Sequence, residues 1–284
     1  MANPTHTRLV TAPPQAPAEI RTERRRRRLL RFGLAIALPC SLAVLVGLST
    51  QTSLSQLVTP PKNAGEIVSA NAAPDADRTD DPIGPFLDPP VVVWDAADPA
   101  LDAQWEFKDP QGWRFSEADG QRVLSQFLKA SDYQPPHRSP LHIALWKETR
   151  FDSFQMDVWV KSTHPEYGHR DVCLFFGYAA PDRFYYVHLA SEMDDRANQI
   201  FVVDAADRVK ISDTTTPGTR WDDDWHHVRI QRHHESGRIR VFFDDMDKPI
   251  MTAVHQGIAA GQVGFGSFDD TADFRRMEIR RGQP

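Results

Sequence analysis

At 284 residues, with 25% charged and 40% hydrophobic residues, the chain has the composition of a globular protein large enough for one substantial domain plus extensions. Its formal net charge of -6 hides a split, because the first 50 residues hold 8 Lys+Arg against 2 Asp+Glu, leaving 25 bases against 37 acids downstream. An acidic body argues against nucleic acid as a partner, since phosphate recognition needs clustered Lys and Arg. The two cysteines, Cys40 in an apolar segment and Cys173 in a predicted strand, argue against a disulfide framework.

In chain order, residues 1–28 read as a basic tail that ends in the unbroken run Arg24 to Arg28. An apolar segment follows at once, and Phe32 to Leu48 carries no charge. Counted from Leu29 with Arg31 snorkelling, residues 29–48 are long enough to cross a bilayer as a signal-anchor or signal-peptide helix. The arginines are then expected to stay cytoplasmic, with the body translocated. Gly47 and Ser49 make a weak small-x-small cleavage site, but the long basic region and long apolar core favour a retained single-pass anchor over a secreted product. Residues 49–90 are rich in Pro, Ala, Ser and Asp without periodicity and read as a linker.

From residue 91 to 284 the pattern changes to about fifteen short β-rich runs broken by turn residues, among them "VVVWD", "LHIALW", "FDSFQMDVWVK", "DVCLFFGY", "RFYYVHLA", "WHHVRIQR" and "GQVGFGSF". That spacing predicts an all-β, two-sheet antiparallel sandwich. Alternation places Phe154, Met156, Val158 and Val160 on one face of their strand, with Gln155, Asp157, Trp159 and Lys161 on the other.

The run from Arg170 to Asp195 is the densest in aromatic and chemically capable side chains. If Ala179-Ala180-Pro181-Asp182 is the loop, Tyr178 and Arg183 close a hairpin that pairs Phe176 with Tyr185, Leu174 with Val187 and Val172 with Leu189 on one apolar face. The other face pairs Gly177 with Phe184, Phe175 with Tyr186, Cys173 with His188 and Asp171 with Ala190. Rings beside carboxylate and imidazole suit a saccharide, whose apolar face stacks while its hydroxyls are taken by polar groups. The candidate ligand-binding residues are therefore Phe175, Tyr186, His169, Arg170 and Asn198, joined by Asp157 and Trp159 if their strand lies in the same sheet. The competing reading is that both hairpin faces are covered and the aromatics are core.

Asp171, Asp194, Asp195 and His188 are the candidate catalytic groups, because glycoside hydrolysis needs two carboxyl groups flanking one bond. The acids of "GSFDDTADF" offer a possible structural Ca²⁺ site at Asp269 and Asp270, with a plain turn the favoured alternative. His226 and His227 are adjacent and point to opposite faces of a strand, so they do not suggest a metal site.

The strand "FDSFQMDVWVK", the hairpin "LFFGYAAPDRFYYVHLA", the run "WHHVRIQ", the strand and turn "IRVFFDDMDKPIMTA" and the closing "GQVGFGSFDDTADFRRMEI" together resemble the concanavalin A-like lectin/glucanase superfamily. Within it they are similar to the laminin-G-like and 3-keto-disaccharide hydrolase-type domains of exported bacterial proteins. The resemblance implies a jelly roll whose curved inner sheet holds a glycan. The family 16 glycoside hydrolase pattern E-x-D-x-x-E begins at Glu192-Met193-Asp194 but meets Ala197, so that mechanism does not carry over. Three functions stay open: a glycan-binding module, a glycoside hydrolase, and a structural or protein-interaction sandwich.

Overall fold

The computed structural model describes Phe86 and residues 88–282. The basic tail, the 29–48 segment and nearly all of the linker lie outside the described residues. Among the described residues, no helix is long and apolar enough to cross a membrane.

Among the described residues, sixteen strands form two antiparallel sheets. The first runs in the order β11 (Ser212–Thr215), β14 (Met251–Val254), β13 (Arg238–Phe243), β12 (His226–His233), β6 (Phe154–Ser162), β16 (Ala272–Arg281), β4 (Gln121–Gln126) and β3 (Trp113–Ala118), with β1 (Val92–Asp95) also paired to β16. The second runs β10 (Val209–Lys210), β9 (Gln199–Asp204), β8 (Arg183–Ala190), β7 (Asp171–Ala180), β15 (Gln262–Ser267), β5 (His142–Trp146) and β2 (Trp105–Phe107). The expected strands are present. One element escaped the reading, because β11 is the polar run Ser-Asp-Thr-Thr with no apolar alternation to reveal it. The chain passes from the second sheet to the first at Ile211, whose N–H donates to the Ile200 carbonyl.

The inward faces behave as the alternation requires. Phe154, Met156, Val158 and Val160 of β6 and Val228 and Ile230 of β12 meet Val172, Leu174, Phe176, Tyr185, Val187 and Leu189 of the hairpin in one core. Trp94, Trp105, Trp113, Phe265 and Phe274 extend it, with the last two rings stacked at 3.9 Å.

The hairpin register is as expected from Asp171 to Phe176, pairing Phe176 with Tyr185 and Cys173 with His188. Its tip is not. Ala180 pairs with Arg183, so the loop is Pro181-Asp182 alone, and the ladder shifts between Phe176 and Ala180. Gly177, at φ 58°, makes that shift possible. The expected pairing of Tyr178 with Arg183 and of Gly177 with Phe184 is therefore lost to a bulge.

The second departure concerns burial. The other face of the second sheet is not open, because Cys173, Phe175, Tyr178, Phe184, Tyr186, Phe201, Val203, Ile143 and Leu145 form a separate buried cluster, with Tyr133 and Phe268 packed against it. The second sheet is thus covered on both faces, while the first carries a polar outer face.

Candidate functional site

The expected saccharide platform on the hairpin is an interior layer. Phe175 and Tyr186 are fully buried, and the Tyr186 hydroxyl accepts a hydrogen bond from Arg208 at 3.0 Å while the Arg208 guanidinium covers Phe201 and Phe268. Neither ring offers a surface to a ligand. Alternation correctly put them on the face opposite the main core, but it could not show that other parts of the chain would close that face.

The expected catalytic acids separate into two environments. Asp194 is exposed and lies 3.3 Å from the exposed His169, while Asp195 pairs with Lys210 in solvent. Asp171 is buried, with Oδ2 2.8 Å from His188 Nε2, and His188 Nδ1 lies 2.9 Å from the Arg196 carbonyl oxygen. Beside it, Asp270 accepts the Asp171 N–H at 2.7 Å and the Tyr167 hydroxyl at 2.8 Å. Burial, and next to it the Asp171 charge, pushes the Asp270 carboxyl up to about 6. These carboxylates are enclosed and do not face one another across an opening, as acid/base work on a glycosidic bond would require. Nor does the geometry supply a ready calcium site. Both Asp270 oxygens are taken by donors and Asp269 is exposed, so the two do not make an oxygen cage.

Arg170 is a buried clamp and does not contact solvent. Its guanidinium donates to Ser162 Oγ and carbonyl, to Glu166 at 3.0 Å and to the Asp222 carbonyl and Asp223 carboxylate, tying the ends of β6 and β7 to the segment before β12. Asn198, at φ 53°, is also fully buried. Its amide nitrogen donates to the Thr216 carbonyl at 2.9 Å and its Oδ1 accepts from Thr219 Oγ1 at 2.8 Å.

Asp157 and Trp159 lie on the first sheet and so are not part of the hairpin's sheet. Asp157 centres a network on its outer face: Oδ1 meets His227 Nε2 and Arg229 Nε at 2.7 Å each, and Oδ2 meets Gln155 at 2.8 Å and Arg280 at 3.2 Å. Burial pushes this carboxyl up, but His227, Arg229 and Gln155 outweigh it and hold the group below its ordinary range. Trp159 stacks on His227 at 4.5 Å with the planes 3° apart.

An open cleft of about 780 Å³ lies elsewhere, at the ends of the strands that Arg170 and Asn198 fasten. Its walls come from Thr216 to Trp221 between β11 and β12, from Phe243 at the end of β13, and from Asp244, Asp245 and Ile250 in the turn to β14, with Glu166 and Ser191 on its rim. Trp221 meets Phe243 edge to face at 5.1 Å and donates its Nε1–H to the Leu189 carbonyl. His226 stacks on Phe243 at 4.5 Å, its Nδ1 2.8 Å from Asp244 and its Nε2 3.1 Å from Asp222. Gly218 is required by close approach, since a Cβ there would fall 1.9 Å from the Ser191 carbonyl oxygen. The cleft thus has an apolar floor of Trp221, Phe243 and Ile250, the two rings only 6% and 9% exposed, below carboxylates, two threonines and the exposed Arg220.

Sequence reasoning passed over this site. The run "WDDDWHHVRIQRHH" attracted a metal question through its histidines, whereas its useful signal was Trp221 among acids after a Pro-Gly turn.

No family model matches the chain, and no curated protein matches it. Among solved structures it is similar to the carbohydrate-binding module CBM66 from Bacillus subtilis, at 14% identity over 62% of this chain and 95% of that one, with a TM-score of 0.45. It is similar to the GH43 protein BlXynB from Bacillus licheniformis at 11% identity and a TM-score of 0.47, over 66% of this chain but only 39% of that one. A lectin from Bauhinia forficata in complex with GalNAc matches at 12% identity and a TM-score of 0.40, over 66% of this chain and 97% of that one. Strand order and pairing make the described domain a two-sheet antiparallel sandwich, and its function rests on its own residues.

Proposed function

We propose that the domain is a saccharide-binding module whose ligand lies in the Trp221–Phe243 cleft. The observation that carries this reading is the composition of the cleft: an apolar aromatic floor beneath exposed Asp244, Asp245 and Arg220, in a volume of about 780 Å³. Ligand sites fall within roughly 300–1,000 Å³ and pair apolar walls with a few convergent polar groups. The small exposed parts of Trp221 and Phe243, 6% and 9% of those residues, give apolar contact to the C–H face of a pyranose, and the carboxylates and Arg220 take its hydroxyls. Binding is favoured over hydrolysis because the cleft carboxylates Asp244, Asp245 and Glu166 are exposed, whereas a general acid needs a desolvated one.

Arg170 and Asn198 support the cleft from beneath and do not contact sugar, the first by holding Glu166 and the second by fixing Thr216 and Thr219. The run Arg24 to Arg28 before the uncharged Phe32–Leu48 supports membrane anchoring with the domain on the extracytoplasmic side.

A glycan array probed with the full chain, followed by titration of the bound saccharide, tests the binding. Trp221→Phe and Arg220→Ala are expected to weaken it at least tenfold, about 1.4 kcal/mol each. Absence of any glycan signal, or equal affinity in both variants, would refute the proposal. For topology, protease added to intact spheroplasts is expected to digest the domain; full protection would place it in the cytoplasm.

A further inference from the structure

Asp171, Cys173 and His188 share one face of the β7–β8 ladder. Cys173 and His188 are directly opposed across the strands, and Asp171 lies two residues from Cys173 along β7. One ligand atom from each side chain lies within 4.8 Å of the others, and all three residues are buried. Donors around a tetrahedral ion with bonds of about 2.0–2.3 Å stand roughly 3.3–3.7 Å apart, so the His188–Asp171 pair at 2.8 Å would open by about 0.5 Å and any wider pair close by about 1 Å at most.

Two further observations point to a cation there. His188 Nδ1 faces the Arg196 carbonyl oxygen, an acceptor only, so Nδ1 carries the ring hydrogen and Nε2 is directed at Asp171 Oδ2 at 2.8 Å. A backbone carbonyl on the far nitrogen is how metal-ligating imidazoles are commonly oriented. With a lone pair and a carboxylate oxygen facing each other, the gap must hold a proton or a metal ion. The second observation is that Asp171 Oδ1 is buried with no hydrogen-bond partner, a costly state for a carboxylate that is 3% exposed. Arg170 next door does not relieve it, because its guanidinium is turned to Ser162, Glu166 and the 222–223 segment.

We propose that Asp171, Cys173 and His188 form a binding site for a zinc-type divalent transition-metal ion, through a carboxylate oxygen, Sγ and Nε2. The mixed oxygen, sulfur and nitrogen set suits Zn²⁺ or Co²⁺ and does not suit Ca²⁺ or Mg²⁺, which take oxygen ligands. Three protein donors leave the fourth tetrahedral position to water. Binding releases the thiol proton and the proton between His188 and Asp171, so one divalent ion replaces two protons and the buried charge is unchanged.

The test uses the full chain in detergent, carrying Cys40→Ser so that Cys173 is the sole thiol. It is refolded with Zn²⁺ or Co²⁺, because the buried donors are otherwise hard to reach. The expected result is about one metal per chain that survives desalting. The Co²⁺ form should show the thiolate-to-cobalt charge-transfer band and the intense visible bands of tetrahedral cobalt. Cys173→Ser should abolish the charge-transfer band, and Asp171→Asn should lower metal retention at least tenfold. Refolded chain with no bound metal, or a Co²⁺ spectrum without the thiolate band, would overturn the proposal without reference to any variant. Retention of the charge-transfer band in Cys173→Ser would do the same.

Discussion

Replacing Asp157 with alanine removes the acceptor at the centre of the polar face of the first sheet. Four donors lose their partner at once: His227 and Arg229 on Oδ1, Gln155 and Arg280 on Oδ2. Removing one member of a fully buried ion pair costs about 3–5 kcal/mol. Here the carboxylate is buried, but His227, Arg229 and Arg280 keep 23%, 22% and 23% of their side-chain exposure, so water takes up part of the load. The expected loss is then about 2–4 kcal/mol, which for a domain of this size lowers Tm by about 5–15 °C. Urea unfolding followed by tryptophan fluorescence measures it, and a double-mutant cycle with Arg229→Ala isolates the pair. Because the Asp157 carboxyl is held below its ordinary range, its stabilising contribution is complete above pH about 4 and is lost only as pH falls through the lowered value. The difference between wild type and Asp157→Ala should therefore shrink as pH falls below about 4. A loss within about 0.5 kcal/mol at neutral pH would show that the network contributes nothing beyond a surface salt bridge.

Phe175→Ala should cost about 3–5 kcal/mol in urea unfolding, because the ring is fully buried in the second cluster, and should leave saccharide affinity unchanged. Tyr186→Phe removes only the hydrogen bond from Arg208 and should cost about 0.5–1.5 kcal/mol by the same assay. Gly218→Ala drives a Cβ onto the Ser191 carbonyl and should displace the cleft wall, weakening saccharide binding in titration more than it lowers Tm. Arg232→Ala should cost roughly 2–4 kcal/mol on thermal unfolding, since this fully buried guanidinium holds the carbonyls of the buried Ile258 and the exposed Ala259 and its removal takes the donor from the first.

The strands were readable because their apolar residues alternate against turns rich in Gly, Pro and Asp. In β6 and β12 the alternation is strict and the assigned faces match the core. The hairpin register was readable up to Phe176, where opposed apolar pairs fix it, and unreadable beyond, where Gly177 admits a bulge that no pairing rule marks. β11 was hidden because Ser-Asp-Thr-Thr is stabilised by its neighbour β14 and not by an apolar face. The site was the least legible part. Phe175 and Tyr186 share a face with Asp171 and His188, but whether that face meets solvent depends on distant segments carrying Tyr133, Arg208 and Phe268. Arg170 and Asn198 were singled out for ligand chemistry and serve instead as buried fastenings of the loop that carries Trp221. Burial of a polar side chain is a tertiary property, and local sequence does not distinguish a clamp from a contact.

A crystal structure of the domain with the saccharide that the array selects is the most direct measurement. Bound sugar is predicted against Trp221 and Phe243, with hydroxyls on Asp244, Asp245 or Arg220. Sugar found on the Asp157–Trp159 face, or anywhere outside this cleft, would contradict the account.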